Sequence, residues 1–113
     1  MTKKRSNCPI VFVVDLIGDR WTLLVIRDIF AGKCSFGEMA ASAERIPPTT
    51  LTNRLGRLVQ AGIVAKKRVP GGPGRQYHYE LTLRGKGLLP VISEMSAWKA
   101  KHFPSENQSA AIS

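Results

Sequence analysis

Cysteine and histidine are scarce in this 113-residue sequence, which contains two of each. Cys8 and Cys34 do not form a CxxC pair, and no histidine lies at a metal-ligand interval from them. Structural zinc sites require closely spaced ligands of these types, so we expect no metal site and no cofactor. No nucleophile, base and orienting group form a recognisable catalytic set either, and the sequence does not predict an enzyme.

Long apolar runs are also absent. No run approaches the ~20 residues that a membrane-spanning helix needs. Lys3 to Arg5 followed by "PIVFVV" resembles a secretory signal, but Asp15 interrupts the apolar region and no small-residue cleavage site follows it. We therefore expect a cytoplasmic protein that does not enter a membrane.

Acidic residues are missing from the middle of the chain. There is none from Arg45 through Tyr79, a stretch that contains seven arginines and lysines. The whole chain has 17 Lys and Arg against 8 Asp and Glu, a formal net charge of +9. This excess favours a polyanionic partner, either nucleic acid or an acidic membrane surface, although a basic run can also be a solvated surface.

The length and a hydrophobic content of 43% fit one domain with a modest core. Helix signals come first along the chain. Pro9 and Gly18 bracket a first helix, "PIVFVVDLI", and Asp19 can cap a second, "RWTLLVIRDIFA". Ser35 and Glu38 match a capping box at the start of a short third helix.

The segment "PPTTLTNRLGRLVQAG" predicts a fourth helix with two different faces. Leu51, Leu55 and Leu58 recur at i, i+4 and i+7 and form one stripe that must be buried. Gly56 lies inside this helix at a cost of about 1 kcal/mol relative to alanine. A close neighbour that leaves no room for a side chain would explain it.

The polar residues of the fourth helix point away from the leucines, and none is acidic. Donors and cations of this kind read base edges in nucleic acid. We assign five residues to a groove-facing surface: Thr49, Thr50, Asn53, Arg54 and Arg57. Asn53 and Arg57 are the strongest candidates for base contacts, because Asn can bond adenine and Arg can bond guanine in the major groove.

The spacing of the predicted helices and strands indicates a helix-turn-helix followed by a basic hairpin. Ala43 to Ile46 separate the third and fourth helices, and "IVAKKRV" and "QYHYELT" predict two strands around "PGGPGR". Basic residues beside this turn are predicted phosphate contacts: Lys66, Lys67, Arg68 and Arg75. On B-form DNA, the fourth helix would enter the major groove, and the hairpin, or wing, would lie along the phosphates or in the adjacent minor groove.

The sequence "LRGKGLLPVISEMSAWKAKHF" predicts one last helix, capped by Thr82 and bent at Pro90. Its apolar residues recur at spacings of 3, 4 and 3, which is typical of a seam between two helices packed side by side. The residues of this seam are Leu88, Val91, Met95 and Trp98. The final segment, "PSENQSAAIS", has no pattern and is expected to be disordered.

Several segments, taken in order, resemble the HxlR family of bacterial winged helix-turn-helix regulators. They are "NCPI", "GDRWTLLVIRDIFAG", "SFGEM", "TLTNRLGRL", "AGIV" and "YELTLRGKGLLPV" followed by a tryptophan, and they span Cys8 to Trp98. The resemblance implies a DNA-binding transcription regulator that acts as a homodimer, joined largely through its first and last helices. Two positions depart from the family pattern: Pro47 stands where a capping serine is common, and Val59 replaces a frequent acid.

Cys8 lies beside Pro9, where helical N–H groups and the helix dipole favour a thiolate. Some family members use a cysteine that matches this position to sense oxidants or electrophiles, and the resemblance implies such a response for Cys8. The alternative is a small residue that packs at the dimer interface.

These features predict a mostly α protein with a small β-hairpin, of the α+β class. We expect a flexible basic arm over residues 1–7, a winged helix-turn-helix domain with dimerisation helices over 8–103, and a disordered tail over 104–113. The predicted function is a dimeric transcription regulator, a repressor, that binds a two-fold symmetric operator in double-stranded DNA. An oxidant or a small molecule would be its effector. The alternative is a winged-helix module whose basic face binds RNA or a protein partner.

Overall fold

A computed structural model describes residues 7–70 and 76–104 of the chain. Three predicted features lie outside the described residues: residues 1–6 of the basic arm, Arg75 of the wing, and residues 105–113 of the tail. The described elements are, in chain order, α1 (Pro9–Ile17), α2 (Thr22–Phe30), α3 (Phe36–Ala40), α4 (Pro48–Gln60), β1 (Val64–Arg68), β2 (Tyr77–Leu81), α5 (Leu83–Lys86) and α6 (Leu89–His102).

The first and third helices form where local signals predict them, and the second differs at its start. α1 begins at Pro9, whose missing N–H is harmless in a first turn. The capping box before α3 is confirmed: Ser35 Oγ accepts from the Glu38 N–H at 3.1 Å, and Glu38 Oε1 accepts from the Ser35 N–H at 3.1 Å. α2 begins at Thr22, later than predicted, because Asp19 Oδ2 accepts from the N–H groups of both Trp21 and Thr22 and holds them in a preceding turn.

α4 anchors the domain through its leucine stripe. Leu51, Leu55 and Leu58 are buried, and α4 packs against α2, α3 and β1. The other buried hydrophobic residues of this core are Val25, Ile26, Ile29, Met39, Ile46, Ile63, Val64, Tyr79 and Leu81. α3, the following turn and α4 therefore form a helix-turn-helix that α2 supports from behind.

The two strands form the predicted antiparallel hairpin. Val64 lies opposite Leu81, and Arg68 lies opposite Tyr77. The N–H of Tyr79 also donates to the carbonyl of Cys34 at 2.8 Å, so the hairpin is tied to the segment that precedes α3. The arrangement confirms a mostly helical winged helix-turn-helix domain.

α5 joins the hairpin to the end of α4. Thr82 Oγ1 donates to the carbonyl of Gly62 at 2.6 Å and accepts from the N–H of Gly85 at 3.1 Å, which confirms Thr82 as a helix cap. A Cβ atom at Gly85 would lie 2.2 Å from the carbonyl oxygen of Ile63. Only glycine allows this approach, which fixes the hairpin relative to α4.

The C-terminal segment forms two helices, so the prediction of one helix bent at Pro90 was wrong. α5 ends at Lys86, with Gly87 as its C-cap, and Pro90 lies in the first turn of α6. A proline in a first turn removes no helical hydrogen bond, so it starts a helix there instead of bending one. Leu88 lies between the two helices and packs against the core, which holds the break in place.

Candidate nucleic-acid interface

The outer face of α4 is polar and exposed. Thr49, Asn53 and Arg57 are exposed at successive one-turn intervals, as the sequence predicts, whereas Thr50 is half-buried. Thr52 is exposed on the same face, although the sequence analysis did not assign it. Because α4 contains no acidic residue, this face offers hydrogen-bonding groups and positive charge without a competing carboxylate.

Gly56 lies in the middle of the outer face. Apart from its two chain neighbours and the adjoining helix backbone, a Cβ atom at this position would have no atom of the described residues within 4 Å. The explanation that a close neighbour excludes a side chain is therefore wrong. The helix accepts a weaker helix former here, and its backbone is left uncovered on the exposed side.

Arg54 points to Asp19 and not straight out from the helix. Its Nε donates to Asp19 Oδ2 at 2.8 Å, and the two side chains are only 22% and 28% exposed. Its Nη1 donates to Asn53 Oδ1 at 2.7 Å. Arg54 thus connects the start of α2 to the outer face of α4, a role that the sequence analysis did not foresee.

Asp19 receives hydrogen bonds from the N–H groups of Trp21 and Thr22, from the Thr22 hydroxyl and from Arg54. Its partial burial acts to raise the pKa of the carboxyl group. The hydrogen bonds from Thr22 and Arg54 outweigh that effect and lower the pKa from 3.8 to about 2. The carboxylate is therefore charged throughout the physiological pH range.

A second polar cluster fixes the turn before α4. Arg27 donates to the two carboxylate oxygens of Glu44 at 3.0 and 2.8 Å, and to Asp28 at 2.8 Å. Asp28 is buried and accepts from Ser42 Oγ at 2.9 Å. The hydrogen bonds with Glu44 raise the pKa of Arg27 above its ordinary value, so Arg27 stays charged and holds the turn against α2.

The described basic residues of the hairpin lie on both of its faces. Strand alternation places Lys66 and Arg68 on the side of Tyr77, and Lys67 on the side of Glu80. Lys66 Nζ lies 4.2 Å from the centroid of the Tyr77 ring, and Lys67 Nζ lies 3.7 Å from a carboxylate oxygen of Glu80. All three cations are exposed, but the strands do not bring them into one cluster.

Three of the four predicted dimer residues are exposed. The exposed fractions are 43% for Val91, 53% for Met95 and 58% for Trp98, and these side chains line an apolar groove with Pro90 and Glu94. The fourth, Leu88, packs against the core instead. α6 has no buried residue along its 14 positions.

α1 presents a second exposed apolar surface, which the sequence analysis did not identify by residue. Ile10, Phe12 and Val14 are all more than half exposed. Cys8 is exposed at the N-cap of this helix, whereas Cys34 is half-buried in front of α3. The thiol at position 8 is therefore accessible, and it adjoins an apolar helix face.

Residues 7–70 and 76–104 contain no group of three or more His, Cys, Asp or Glu side chains that could hold a metal ion. Among the helices of these ranges, none combines the length and the apolar character needed to cross a membrane.

Comparison with known sequences places most of the chain in one family. Residues 16–107 match the family described as HxlR-like helix-turn-helix. The HTH-type transcriptional regulator sll1512 of Synechocystis sp. is 38% identical to this chain over 88 residues, which cover 78% of the chain. The match spans 64% of the length of that relative, so the chain corresponds to a part of it.

Two solved structures share the fold over most of both chains. The reduced form of the transcriptional regulator YodB from Bacillus subtilis is 30% identical, with a TM-score of 0.73 over 87% of this chain and 96% of that one. The redox regulator HypR in its oxidised form is 28% identical, with a TM-score of 0.74 over 84% of this chain and 97% of that one.

The ion pair at Asp19 is expected to make folding stability depend on acid pH. Because the pKa of Asp19 is about 2 in the folded chain and 3.8 ordinarily, its stabilisation is fully present above the ordinary pKa and is lost as the pH falls towards 2. The difference corresponds to about 2 kcal/mol of unfolding free energy. In urea titrations, wild type and Asp19→Asn should differ most near neutral pH and converge only at about pH 2 and below. Glu94→Gln, which alters an exposed carboxylate of α6, is the control. A difference between wild type and Asp19→Asn that stays constant with pH would contradict the assignment.

Proposed function

The chain belongs to the HxlR-like helix-turn-helix family of transcription regulators, and we propose that it binds double-stranded DNA sequence-specifically as a homodimer. The family is one of regulators and not of enzymes. In the proposed complex, α4 lies in the major groove and the hairpin follows the phosphates. The operator would consist of two symmetric half-sites about one helical turn apart.

The division of α4 into a buried and an acid-free exposed face carries this proposal. Leu51, Leu55 and Leu58 are buried, whereas Thr49, Asn53 and Arg57 project from the opposite side. Hydrogen-bond donors and a cation on an exposed helix match the acceptor-rich edges of base pairs. Gly56 adds support, because the missing side chain allows the helix backbone to approach the groove closely.

The exposed residues of α4 would have different roles in DNA recognition. Asn53 and Arg57 would contact bases, and Thr49 and Thr50 would lie at the end of α4 that enters the groove first. Arg54 forms an ion pair with Asp19, so its contribution to DNA recognition would be indirect. This assignment modifies the sequence-based one, in which all five residues faced the groove.

The wing would supply contacts that position the protein without reading sequence. Arg68 is exposed beside the hairpin turn, and Arg75 is assigned from the sequence alone. Lys66 and Lys67 have partners on the hairpin, but an exposed pair such as Lys67 with Glu80 is worth little and can exchange for a phosphate.

The exposed apolar surfaces of α1 and α6 support the homodimer. A monomer would leave Phe12, Met95 and Trp98 in water, each at least half exposed. Apolar surfaces of this extent usually mark an interface. Two copies that pack through α1 and α6 would cover these side chains and set the distance between their two α4 helices.

Repression follows from the geometry proposed for the operator complex. A dimer whose two α4 helices occupy successive turns of the major groove covers the duplex between them. Polymerase could not use a promoter that overlaps this stretch. We therefore propose a repressor.

A redox response through Cys8 is a second part of the proposal. The Cys8 side chain is exposed at the start of α1, a helix of the proposed dimer interface. The likeness to the redox regulator HypR supports the same type of control here. An oxidant such as diamide would take one electron and one proton from the Cys8 thiol of each of two protomers, leaving a disulfide between them and the corresponding hydrazine.

Arg57→Ala and Arg68→Ala should have different effects on DNA binding. Arg57→Ala should weaken binding to the selected operator about ten-fold or more and relax the preference at one base pair. Arg68→Ala should weaken binding to operator and random duplex alike and reduce the salt dependence by about one charge. Fluorescence anisotropy over a salt series measures both effects, with Lys101→Ala as the charge-matched control on α6. If random duplex bound Arg68→Ala as tightly as wild type, the wing assignment would be wrong.

Met95→Glu should convert the homodimer into a monomer. The substitution would place a charge in the proposed α6 interface, where desolvating it is costly. Sedimentation velocity measures the change, and Ser93→Glu adds the same charge on the opposite side of the helix as a control. A Met95→Glu variant with the sedimentation coefficient of wild type would rule out this interface.

Diamide should release the wild-type chain from its operator but leave Cys8→Ser bound. Cys34→Ser should respond like wild type, because its thiol is half-buried in the segment that precedes α3. Electrophoretic mobility shifts with and without diamide compare the three chains. Release of Cys8→Ser at the wild-type diamide concentration would show that Cys8 is not the sensor.

A further inference from the structure

Three side chains form a relay from the start of α2 to the outer face of α4. Asp19 is held by the N–H groups of Trp21 and Thr22 at 3.1 and 3.2 Å. It accepts from Arg54 Nε at 2.8 Å, and Arg54 Nη1 donates to Asn53 Oδ1 at 2.7 Å. A rigid guanidinium, itself fixed by a carboxylate, therefore sets the orientation of the Asn53 amide.

Asn53 is the exposed member of the relay, whereas Asp19 and Arg54 are partly buried. The Asp19 and Arg54 side chains are 28% and 22% exposed, so water screens their ion pair only in part. If Arg54 swung out to a phosphate, it would leave the partly buried Asp19 carboxylate without its cation, which is unfavourable. Arg54 therefore stays with Asp19, and Asn53 is the member of the relay that meets DNA.

The direction of the Asn53 amide determines what it can recognise. An amide has an acceptor oxygen on one branch and an NH₂ donor on the other. Because Oδ1 is turned towards Arg54, the Nδ2 group is the one left to face outward. Asn53 then presents its N–H donors to the groove and turns its acceptor oxygen towards Arg54.

A side chain that offers only hydrogen-bond donors discriminates between guanine and adenine in the major groove. Guanine offers two neighbouring acceptors, N7 and O6, whereas adenine offers the N7 acceptor beside the N6 donor. An unconstrained Asn pairs with adenine by using both its oxygen and its NH₂ group. An Asn whose oxygen is engaged loses one of those bonds on adenine and keeps its match to guanine.

We propose that Asp19 and Arg54 are positioning residues that make Asn53 a donor-only reader of guanine. The inference rests on the proposed placement of α4 in the major groove. It replaces the sequence-based interpretation in which Asn53 reads adenine and Arg54 contacts DNA itself.

Selection of bound sequences from a random duplex library tests the proposal. The base pair that Asn53 reads is the one whose preference disappears in Asn53→Ala. Wild type should prefer guanine there over adenine by about ten-fold. Arg54→Met keeps a long side chain but removes the donor to Asn53, so the preference at that base pair should move from guanine to adenine. Asp19→Asn should move it in the same direction, because Arg54 is then less firmly held.

Glu44→Gln is the matched control, since it weakens the other arginine–carboxylate pair, between Arg27 and Glu44. It should leave all base preferences unchanged. Base preference is the decisive measurement because a loss of folding stability lowers the active fraction for every duplex equally. Circular dichroism during heating would show which variants fold. If Asp19→Asn does not fold, the base preference of Arg54→Met alone tests the relay.

The outcomes separate this inference from the proposed function. Adenine at the Asn53 base pair in wild type, or a guanine preference that survives Arg54→Met, would overturn the relay but leave α4 in the groove. If Asn53→Ala changed no base preference, Asn53 would not read DNA and the inference would fail with it. If the library yielded no enriched duplex at all, the proposed function itself would be wrong.

Discussion

Burial of one leucine stripe determines where α4 stands and which of its side chains reach solvent. Leu51, Leu55 and Leu58 are buried, and each contributes about 1.5–3 kcal/mol relative to an exposed side chain. Once this stripe is in the core, the helix cannot rotate without exposing it. Asn53 and Arg57 must then face outward, so the hydrophobic core creates the candidate DNA-binding surface.

Two arginine–carboxylate pairs add the precision that apolar packing does not supply. Arg27 and Glu44 hold the turn before α4, and Arg54 and Asp19 hold its first half. Besides any stabilisation, partly buried charge pairs of this type favour one arrangement of the segments over others. Their carboxylates, Asp19 and Glu44, lie outside α4, so the helix itself carries no negative charge.

The elements with a short-range signal could be predicted from the sequence. The capping box of Ser35 and Glu38 needs a spacing of three residues, and strand alternation defines the hairpin. The break before α6 could not be predicted from the sequence, because Pro90 is compatible with both a bent helix and a first turn. The packing of Leu88 on the core decides between the two. The partner of Arg54 lies 35 residues away, so no local pattern identifies it. That single contact changed the interpretation of the candidate site.

In the proposed complex, DNA recognition by the outer face of α4 depends on dimerisation through the apolar surfaces of α1 and α6. The short outer face of α4 can make only a few base contacts, so one domain alone would discriminate weakly between sequences. Joining two copies through α1 and α6 makes the second half-site contact intramolecular, which raises affinity without any new contact. The spacing of the two α4 helices then depends on an interface outside the core. A modification of Cys8 at the start of α1 would change that spacing while each winged domain stays folded. Oxidation would then alter the distance between the two α4 helices and not the folding stability of each domain.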